Sequence, residues 1–338
     1  MAPFVHSGKM TASVFLSLTT LLITFTCYPL SRTPPAFANA TTVGPLKLSD
    51  FPTQQQVIAA VRKAESLTSP PADTQPSLQT LADGGDFGGS PTCPGPTTFS
   101  ATDNVAACTF GDVLARRTIV LTGDSRSQLW FETIDSIAIA VHMRLVLLAK
   151  YGCPSPLGTY AVNNNGVVKA TPRQACTAWH SFVTSTIKSL KPSLVITASS
   201  DEVVLVSGLA PPTTVSDDFA AFFKTIPKRT KLAVLGGFPN PAQEEASPTI
   251  CLSKSPSPVT HCAFHESPIV IAENNAVQQT TVQAGATYIN QMRWLCASVC
   301  PAIIAGIIPY TVDGYHIDAT YAHYLTGVLW ADLEPDLR

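Results

Sequence analysis

Apolar residues occur along this chain in two patterns, short continuous runs and longer stretches in which they recur every three or four positions. The clearest case is Thr118–Phe131, where a β-branched run ends at Gly123-Asp124-Ser125 and helical spacing follows as far as Val141. Further apolar runs predict strands at Leu145–Ala149, Leu194–Ala198, Leu232–Leu235 and Tyr288–Asn290, and an extended segment at Ala302–Ile308. Helical spacing predicts helices at Gln54–Glu65, Ala175–Leu190, Asp217–Thr225 (capped by Ser216), Ile269–Ala284 and Ala319–Leu329 (capped by Asp318).

Strands and helices alternate through most of the chain. Continuous apolar strands are typical of parallel sheets, which are buried on both faces by the helices that connect them. The sequence therefore predicts an α/β fold, namely a three-layer α/β/α sandwich with a mainly parallel, doubly wound sheet of the flavodoxin-like kind. We find no internal repeat.

The first 40 residues have the features of an export signal. Lys9 precedes an uncharged apolar run that extends to about Tyr28, and Ala38-Asn39-Ala40 matches the small-residue cleavage pattern. We expect residues 1–40 to be a signal peptide cleaved near Ala40. Because the run is nearly long enough to cross a bilayer, an uncleaved signal anchor is the alternative. Either would place the protein in the cell envelope or outside the cell.

Composition divides the chain after residue 40 into two regions and argues against nucleic acid as a partner. Residues 41–92 are rich in Pro, Thr, Ser and Gln and predict an N-terminal extension or linker, and residues 93–338 predict the main domain. The net charge is −2 and Lys/Arg clusters are lacking, so we do not expect nucleic acid as a partner.

Of nine cysteines, Cys27 lies in the leader and eight follow it, an even number typical of disulfides in an exported chain. Their spacing is not that of a zinc site, and we expect neither a metal nor another cofactor.

Ser125 is the first candidate for chemistry. It lies between a predicted strand and a predicted helix, at the edge where open α/β sheets bind ligands. The unpaired N–H groups at the start of a helix suit an oxyanion. Asp and Ser are also favoured helix caps, and the tripeptide alone favours that structural role.

A second candidate set stands near the end of the chain. Asp313 and His316 are three residues apart, on a predicted loop before the last helix. A serine nucleophile needs a base within hydrogen-bond reach and a group that orients this base. The carboxylate of Asp313 can fix the imidazole of His316, which can then accept the proton of Ser125.

Together these blocks resemble the SGNH (GDSL-like) hydrolase superfamily. GDS after the first strand and DxxH before the last helix correspond to its first and last blocks. LVLLAKYGCP, CTAWHSFVTSTIKSLKPSLVITAS and WLCASVCPAIIAGIIPYTVDGYHIDATYAHYL resemble segments of the SGNH domains found at the C-terminus of bacterial membrane O-acyltransferases. The resemblance runs from about Cys93 to Leu329, so residues 93–338 are expected to form an SGNH hydrolase-like domain.

The resemblance implies roles for individual residues. Ser125 would be the nucleophile, His316 the base and Asp313 its orienting partner, with the Ser125 N–H as an oxyanion donor. The superfamily usually adds a Gly after the second strand, where this chain has Gly152. It also adds an Asn after the third strand, where this chain instead has Ser199 and Ser200. One such donor is typically worth about 3 kcal/mol, so the missing Asn weakens the expected oxyanion hole.

Two further residues are candidates for substrate binding. Arg126 stands where the family commonly shows His, and it would contact an anionic or polar acceptor or else lie at the surface. Trp294 would be a core residue or would stack on a sugar. The resemblance, together with the separate segments on which the cysteines lie, also implies that sequence neighbours pair: Cys93–Cys108, Cys153–Cys176, Cys251–Cys262 and Cys296–Cys300.

The function implied is that of an exported O-acetyl- or O-acyltransferase, or an esterase, acting on cell-envelope glycans through an acyl-serine intermediate. A polysaccharide or other glycan would be the acceptor. The sequence shows nothing like the membrane domain of the O-acyltransferases, so acyl groups would come from a separate membrane protein or from a soluble ester. The alternative is a glycan-binding module that keeps the fold with weak or no activity.

Overall fold

The computed structural model describes residues 47–82, 105–157, 162–164, 167–169, 173–199, 204–205, 208–209, 212–241, 247–254, 258–314 and 316–338. Residues Pro45–Arg338 cluster as one compact unit, and the unit Met1–Gly44, which holds the predicted signal, lies outside the described residues. Among the helices described, none is both long enough and apolar enough to cross a membrane.

The strands are β1 (Thr109–Gly111), β2 (Thr118–Gly123), β3 (Arg144–Ala149), β4 (Val162–Asn164), β5 (Val167–Lys169), β6 (Leu194–Ala198), β7 (Val204–Leu205), β8 (Gly208–Leu209), β9 (Lys231–Leu235) and β10 (Thr287–Ile289). Six of them form one sheet in the order β1-β3-β2-β6-β9-β10, in which only the β1–β3 pair is antiparallel. Its five parallel strands thus follow the order 2-1-3-4-5, as in flavodoxin. The predicted doubly wound sheet is confirmed.

The helices are α1 (Gln54–Ala64), α2 (Leu78–Ala82), α3 (Ser125–Leu129), α4 (Phe131–Ala140), α5 (Arg173–Leu190), α6 (Pro212–Phe223), α7 (Pro248–Ser253), α8 (Pro268–Gln283), α9 (Ala319–Tyr324) and α10 (Thr326–Leu337). Successive residues of β2 face opposite sides of the sheet. Ile119 and Leu121 pack in a cluster with residues of α4, α9 and α10, whereas Val120 packs in a second cluster with residues of α5 and α6. This alternation produces the three layers.

The N-terminal extension contributes to the core of the main domain. Thr53 and Gln56 form a capping box at the start of α1, which is why the helix begins there. Val57 and Val61 are buried in the same cluster as Trp294. The carboxylate of Glu65, just after α1, accepts hydrogen bonds from the backbone N–H and the hydroxyl of Ser298, both at 2.6 Å. The predicted helix is confirmed and holds the extension against the domain.

Several predicted boundaries were wrong. The helix after Ser125 is interrupted at Trp130, and the last helix is interrupted at Leu325. Helix α6 starts at Pro212, whose fixed φ suits a first turn, so Ser216 lies inside the helix instead of capping it. Asp318 does cap α9, because its Oδ1 accepts from Thr320 N at 2.9 Å.

Other local structures also differ from the prediction, among them α2, α7 and the strand pairs β4–β5 and β7–β8, none of which was predicted. The edge strand β1 was not predicted, because three residues that include Thr and Gly carry no apolar pattern. The apolar segment Ala302–Ile308 is not a strand. It folds into a tight turn in which Ile304 and Ile307 exchange backbone hydrogen bonds of 2.8 and 2.9 Å, with Ala305 and Gly306 at positive φ.

Disulfides join Cys153–Cys176, Cys251–Cys262 and Cys296–Cys300, as predicted. Cys108 is also disulfide-bonded. Its predicted partner Cys93 lies outside the described residues. The Cys153–Cys176 bond closes 23 residues and ties the turn after β3 to α5, so it fixes the loop that carries Gly152.

Gly123 allows β2 and β6 to approach each other just before Ser125. Its φ is +147°, and a Cβ there would lie 2.1 Å from Ala198 O and 2.2 Å from Ser127 Oγ. We expect Gly123→Ala to destabilise the fold by roughly 3 kcal/mol or more, since a backbone oxygen cannot move away easily. Gly285→Ala is the control, because its φ is +72° and nothing lies within 4 Å of the added Cβ. It should cost only about 1–2 kcal/mol. Urea unfolding of both variants checks this, and equal losses would contradict the steric explanation.

Candidate active site

Ser125 lies at the carboxyl end of β2, between the ends of β3 and β6. This is where the strand order reverses, and doubly wound sheets bind ligands at that point. Ser125 is the first residue of α3, and Asp124 is its N-cap, whose Oδ1 accepts from Arg126 N at 2.9 Å. Ser127 Oγ donates to Ala198 O at 2.7 Å and holds the turn against β6. Asp124 therefore supplies the cap, and the hydroxyl of Ser125 is left for another partner.

That partner is His316. Ser125 Oγ lies 2.7 Å from His316 Nε2, across 191 residues of sequence, and His316 Nδ1 lies 2.7 Å from Asp313 Oδ2. A carboxylate beside Nδ1 keeps the proton on that nitrogen, so Nε2 is left to accept the hydroxyl proton. The side chains of His316 and Asp313 are only 14% and 23% exposed. The structure therefore brings the three residues together in the geometry that a serine nucleophile, its base and an orienting acid require.

The loop before α9 is built to hold this geometry. Thr311 Oγ1 donates to Asp313 Oδ1 at 2.8 Å, and His316 N donates to the same oxygen at 3.2 Å. Thr311 N in turn donates to His316 O at 3.0 Å, which closes the loop. Gly314, at φ +81°, makes the turn and packs against Ser247. Thr311 was not predicted as part of the site, and its only signal is a hydroxyl two residues before Asp313.

The loop that carries Asp313 and His316 packs against buried aromatic side chains. Tyr310 is fully buried, with the rings of Phe238 and Phe264 each 5.5 Å away. Burial, and secondarily the charge of Glu266, raises the pKa of Tyr310 well above its usual value. This phenol therefore stays neutral at ordinary pH and packs beneath the loop.

Two backbone N–H groups of the predicted site lack an acceptor among the described residues. Among the described residues, neither the Ser125 N–H nor the Gly152 N–H donates a hydrogen bond to a protein group. Gly152 follows β3 at φ +67°, in a turn closed by Cys153 N and Lys150 O at 3.1 Å. The two N–H groups follow the carboxyl ends of β2 and β3, which are neighbouring parallel strands.

Ser199, a candidate oxyanion donor, contacts Ser155 in the structure. It is buried, and its Oγ accepts from Ser155 N at 2.9 Å, so it ties the segment after β6 to the loop after β3. No described contact joins Ser199 to Ser125. Ser200, the other candidate to replace the missing Asn, lies outside the described residues.

Of the two binding candidates, one was wrong. Trp294 is completely buried, with its ring 6.4 Å from that of Trp130, so it cannot stack on a sugar and belongs to the core. Arg126 is only 7% exposed, which excludes the surface alternative and leaves it beside Ser125. Gln128, which is 8% exposed in the same helix, was missed.

The described residues contain one cluster with metal-ligand side chains, formed by Glu266, Cys296 and Cys300. The two sulfurs are bonded to each other, so they are not available as thiolate ligands. His180 lies elsewhere, where its Nε2 donates to Pro154 O at 2.7 Å and burial lowers its pKa.

The chain is similar to known proteins in sequence and in fold. A family model described as the SGNH domain fused to AT3 domains matches residues 92–331. The structure superposes on the periplasmic domain of a lipopolysaccharide acetyltransferase from Salmonella ser. Paratyphi A, with a TM-score of 0.52, 13% identity, and coverage of 85% of this chain and 99% of that one. A GDSL-like lipase from Parabacteroides merdae gives a TM-score of 0.42 and 11% identity over 66% of this chain and 97% of that one. We find no significant match among curated proteins.

Proposed function

Because this chain belongs to the family of SGNH domains that are fused to AT3 domains, we propose that it is a serine acyl-transfer enzyme. In this proposal Ser125 is the nucleophile, His316 the base and Asp313 its orienting partner. The observation that carries the proposal is the pair of 2.7 Å contacts linking Ser125 Oγ, His316 and Asp313 at the carboxyl edge of the sheet.

The geometry supports a two-step reaction. Ser125 Oγ attacks the carbonyl carbon of an ester while His316 Nε2 takes its proton. The Ser125 and Gly152 N–H groups would stabilise the oxyanion of the tetrahedral intermediate. His316 then gives the proton to the leaving alcohol, and the acyl group remains on Ser125. In the second step a hydroxyl attacks the acyl-serine while His316 takes the proton of that hydroxyl, the bond between the acyl carbon and Ser125 Oγ breaks, and His316 returns the proton to Oγ. If the attacking hydroxyl belongs to a sugar, the enzyme is a transferase. If it belongs to water, the enzyme is an esterase.

The cellular setting is part of the same proposal. Disulfides persist in oxidising compartments, which supports export of the protein to the cell envelope or beyond, through residues 1–40. We take the acceptor to be a glycan of the cell envelope, since the superposed Salmonella domain belongs to a lipopolysaccharide acetyltransferase. The acyl donor would be a separate membrane protein of the kind to which SGNH domains of this family are fused.

The experiment is a covalent and kinetic test of the wild-type protein. We expect a fluorophosphonate probe to label Ser125, as peptide mapping would show, and a chromogenic acetate to give a burst followed by turnover. Adding a sugar acceptor measures how the acyl-enzyme partitions between transfer and hydrolysis. If Ser125 is not labelled and the acetate is not turned over, the enzyme proposal fails and a glycan-binding module without activity remains.

A further inference from the structure

Arg126 is an unusual arginine. Among the lysines and arginines whose side chains the structure describes, it alone is buried. Within the described part of the chain, no group hydrogen-bonds or ion-pairs with its guanidinium; Asp124, the adjacent acid, accepts instead from the Arg126 backbone N–H at 2.9 Å. Other arginines differ, since Arg117 donates to Leu337 O and Arg144 donates to Thr118 Oγ1. Within the described residues, no acid pairs with the guanidinium of this buried cation, which belongs to the residue that follows Ser125.

The guanidinium is nevertheless not fully sealed from solvent. The polar side-chain atoms that are sealed from solvent without a partner do not include those of Arg126. A cation in this state has lost much of its hydration and has gained no protein partner, which is costly. An anionic ligand that enters from solvent would remove that cost. A buried arginine with a purely structural role would instead have an acid or a carbonyl oxygen hydrogen-bonded to its guanidinium.

Gln128 has the same character in the same helix. It is 8% exposed, no described group hydrogen-bonds its amide, and its amide atoms are also not sealed from solvent. It stands three residues after Ser125, and side chains at this spacing are neighbours on one helix face, whereas Arg126 and Gln128 are two residues apart and do not face each other. Two polar side chains without a described protein partner thus flank the proposed nucleophile, on different faces of α3.

We propose that Arg126 binds a carboxylate or phosphate group of the sugar acceptor and that Gln128 binds another part of the same sugar, so that the enzyme prefers an anionic glycan. The guanidinium fork matches the two oxygens of either group, and the amide of Gln128 can donate to the sugar. A short acyl group is uncharged, so recognition of charge must concern the alcohol that carries or receives it. This inference rests on the proposed function, because it assumes that Ser125 is the reacting group.

The test measures binding and labelling separately on the full chain. D-glucuronate, glucose 6-phosphate and glucose are added at equal concentration, with ionic strength held constant by NaCl. Either anionic sugar should raise the melting temperature of the wild type, whereas glucose should not. The better of the two anions identifies the group that is recognised. The same sugar should slow fluorophosphonate labelling of Ser125, which locates it beside the nucleophile.

Variants assign the effect to these side chains. Arg126→Gln should weaken binding of the anionic sugar by at least about tenfold, because a charge-assisted hydrogen bond is lost. Gln128→Ala should weaken binding of the anionic sugar less than Arg126→Gln does. Its effect should be the same for glucuronate and for glucose 6-phosphate. Arg116→Gln is the matched control, because Arg116 is an exposed arginine at the opposite end of β2. It removes the same charge and should leave binding unchanged.

The outcomes separate the two proposals. If Ser125 is labelled but no anionic sugar stabilises the wild type or protects Ser125, the anion site is refuted and the enzyme proposal survives. Equal binding by the wild type and Arg126→Gln would place the anion elsewhere and also refute the site. Binding that needs Arg126, in a protein whose Ser125 cannot be labelled, would support the anion site and refute the acyl-enzyme. The wild-type comparison stands even if Arg126→Gln fails to fold.

Discussion

Replacing Ser125 by alanine is expected to reduce ester turnover on the order of a thousandfold or more. The Ser125 hydroxyl is the atom that would carry the acyl group, and no other hydroxyl among the described residues lies in hydrogen-bond contact with His316 Nε2. The fold should be unaffected, since Ser125 is partly exposed and is not among the buried core residues. Acetyl-ester turnover and fluorophosphonate labelling of purified Ser125→Ala measure the loss.

Ser127→Ala is the matched control for this prediction. Ser127 lies in the same turn of α3, but its hydroxyl donates to Ala198 O at 2.7 Å and so holds the structure together. Removing it should cost about 1 kcal/mol of stability and leave Ser125 open to labelling. If Ser125→Ala kept turnover near that of the wild type, the chemistry would lie elsewhere in the chain.

The parts of the fold that could be predicted are those with a local signal. The continuous apolar runs of β2, β3 and β6 are typical of strands that are buried on both faces of a sheet, and they were located to within a residue. Asp313 and His316 lie only three residues apart, so their contact is local chemistry. Their contact with Ser125 spans 191 residues, and no spacing in the sequence encodes it. That contact was expected from the resemblance to a known family.

The parts that could not be predicted depend on tertiary packing. A tryptophan fits a core or a sugar platform equally well, and only the packing of Trp294 against Trp130 decides for the core. An arginine is ordinarily exposed, and the burial of Arg126 follows from how the start of α3 packs in the fold. The strand β1 exists because β3 offers an edge for pairing, not because Thr109–Gly111 has a strand pattern.

Changes to the base and its partner are expected to have effects nearly as large as the loss of Ser125. His316→Ala removes the proton acceptor and should cost about as much as Ser125→Ala. The two residues act on one proton transfer, so the double variant should be no slower than either single variant. A double variant whose loss equalled the product of the two single losses would show that Ser125 and His316 act independently.

Asp313→Asn tests the orientation of the imidazole. An asparagine Oδ1 can still accept from Thr311 Oγ1 and His316 N, so the loop should keep its shape. Its NH₂ group would face His316 Nδ1 and favour the tautomer with the proton on Nε2, which cannot accept from Ser125. We expect turnover to fall on the order of a thousandfold to ten-thousandfold with unchanged thermal stability.

The chain offers a matched control in a second Asp–His contact. Asp112 Oδ2 lies 3.3 Å from His142 Nδ1, and the His142 side chain is 86% exposed. His142 precedes β3, at the opposite end of the parallel strands from Ser125. Asp112→Asn makes the same chemical change and should leave turnover as in the wild type. Similar losses in the two variants would mean that Asp313 matters only through general charge, whereas a loss confined to Asp313→Asn ties the rate to the proton position on His316.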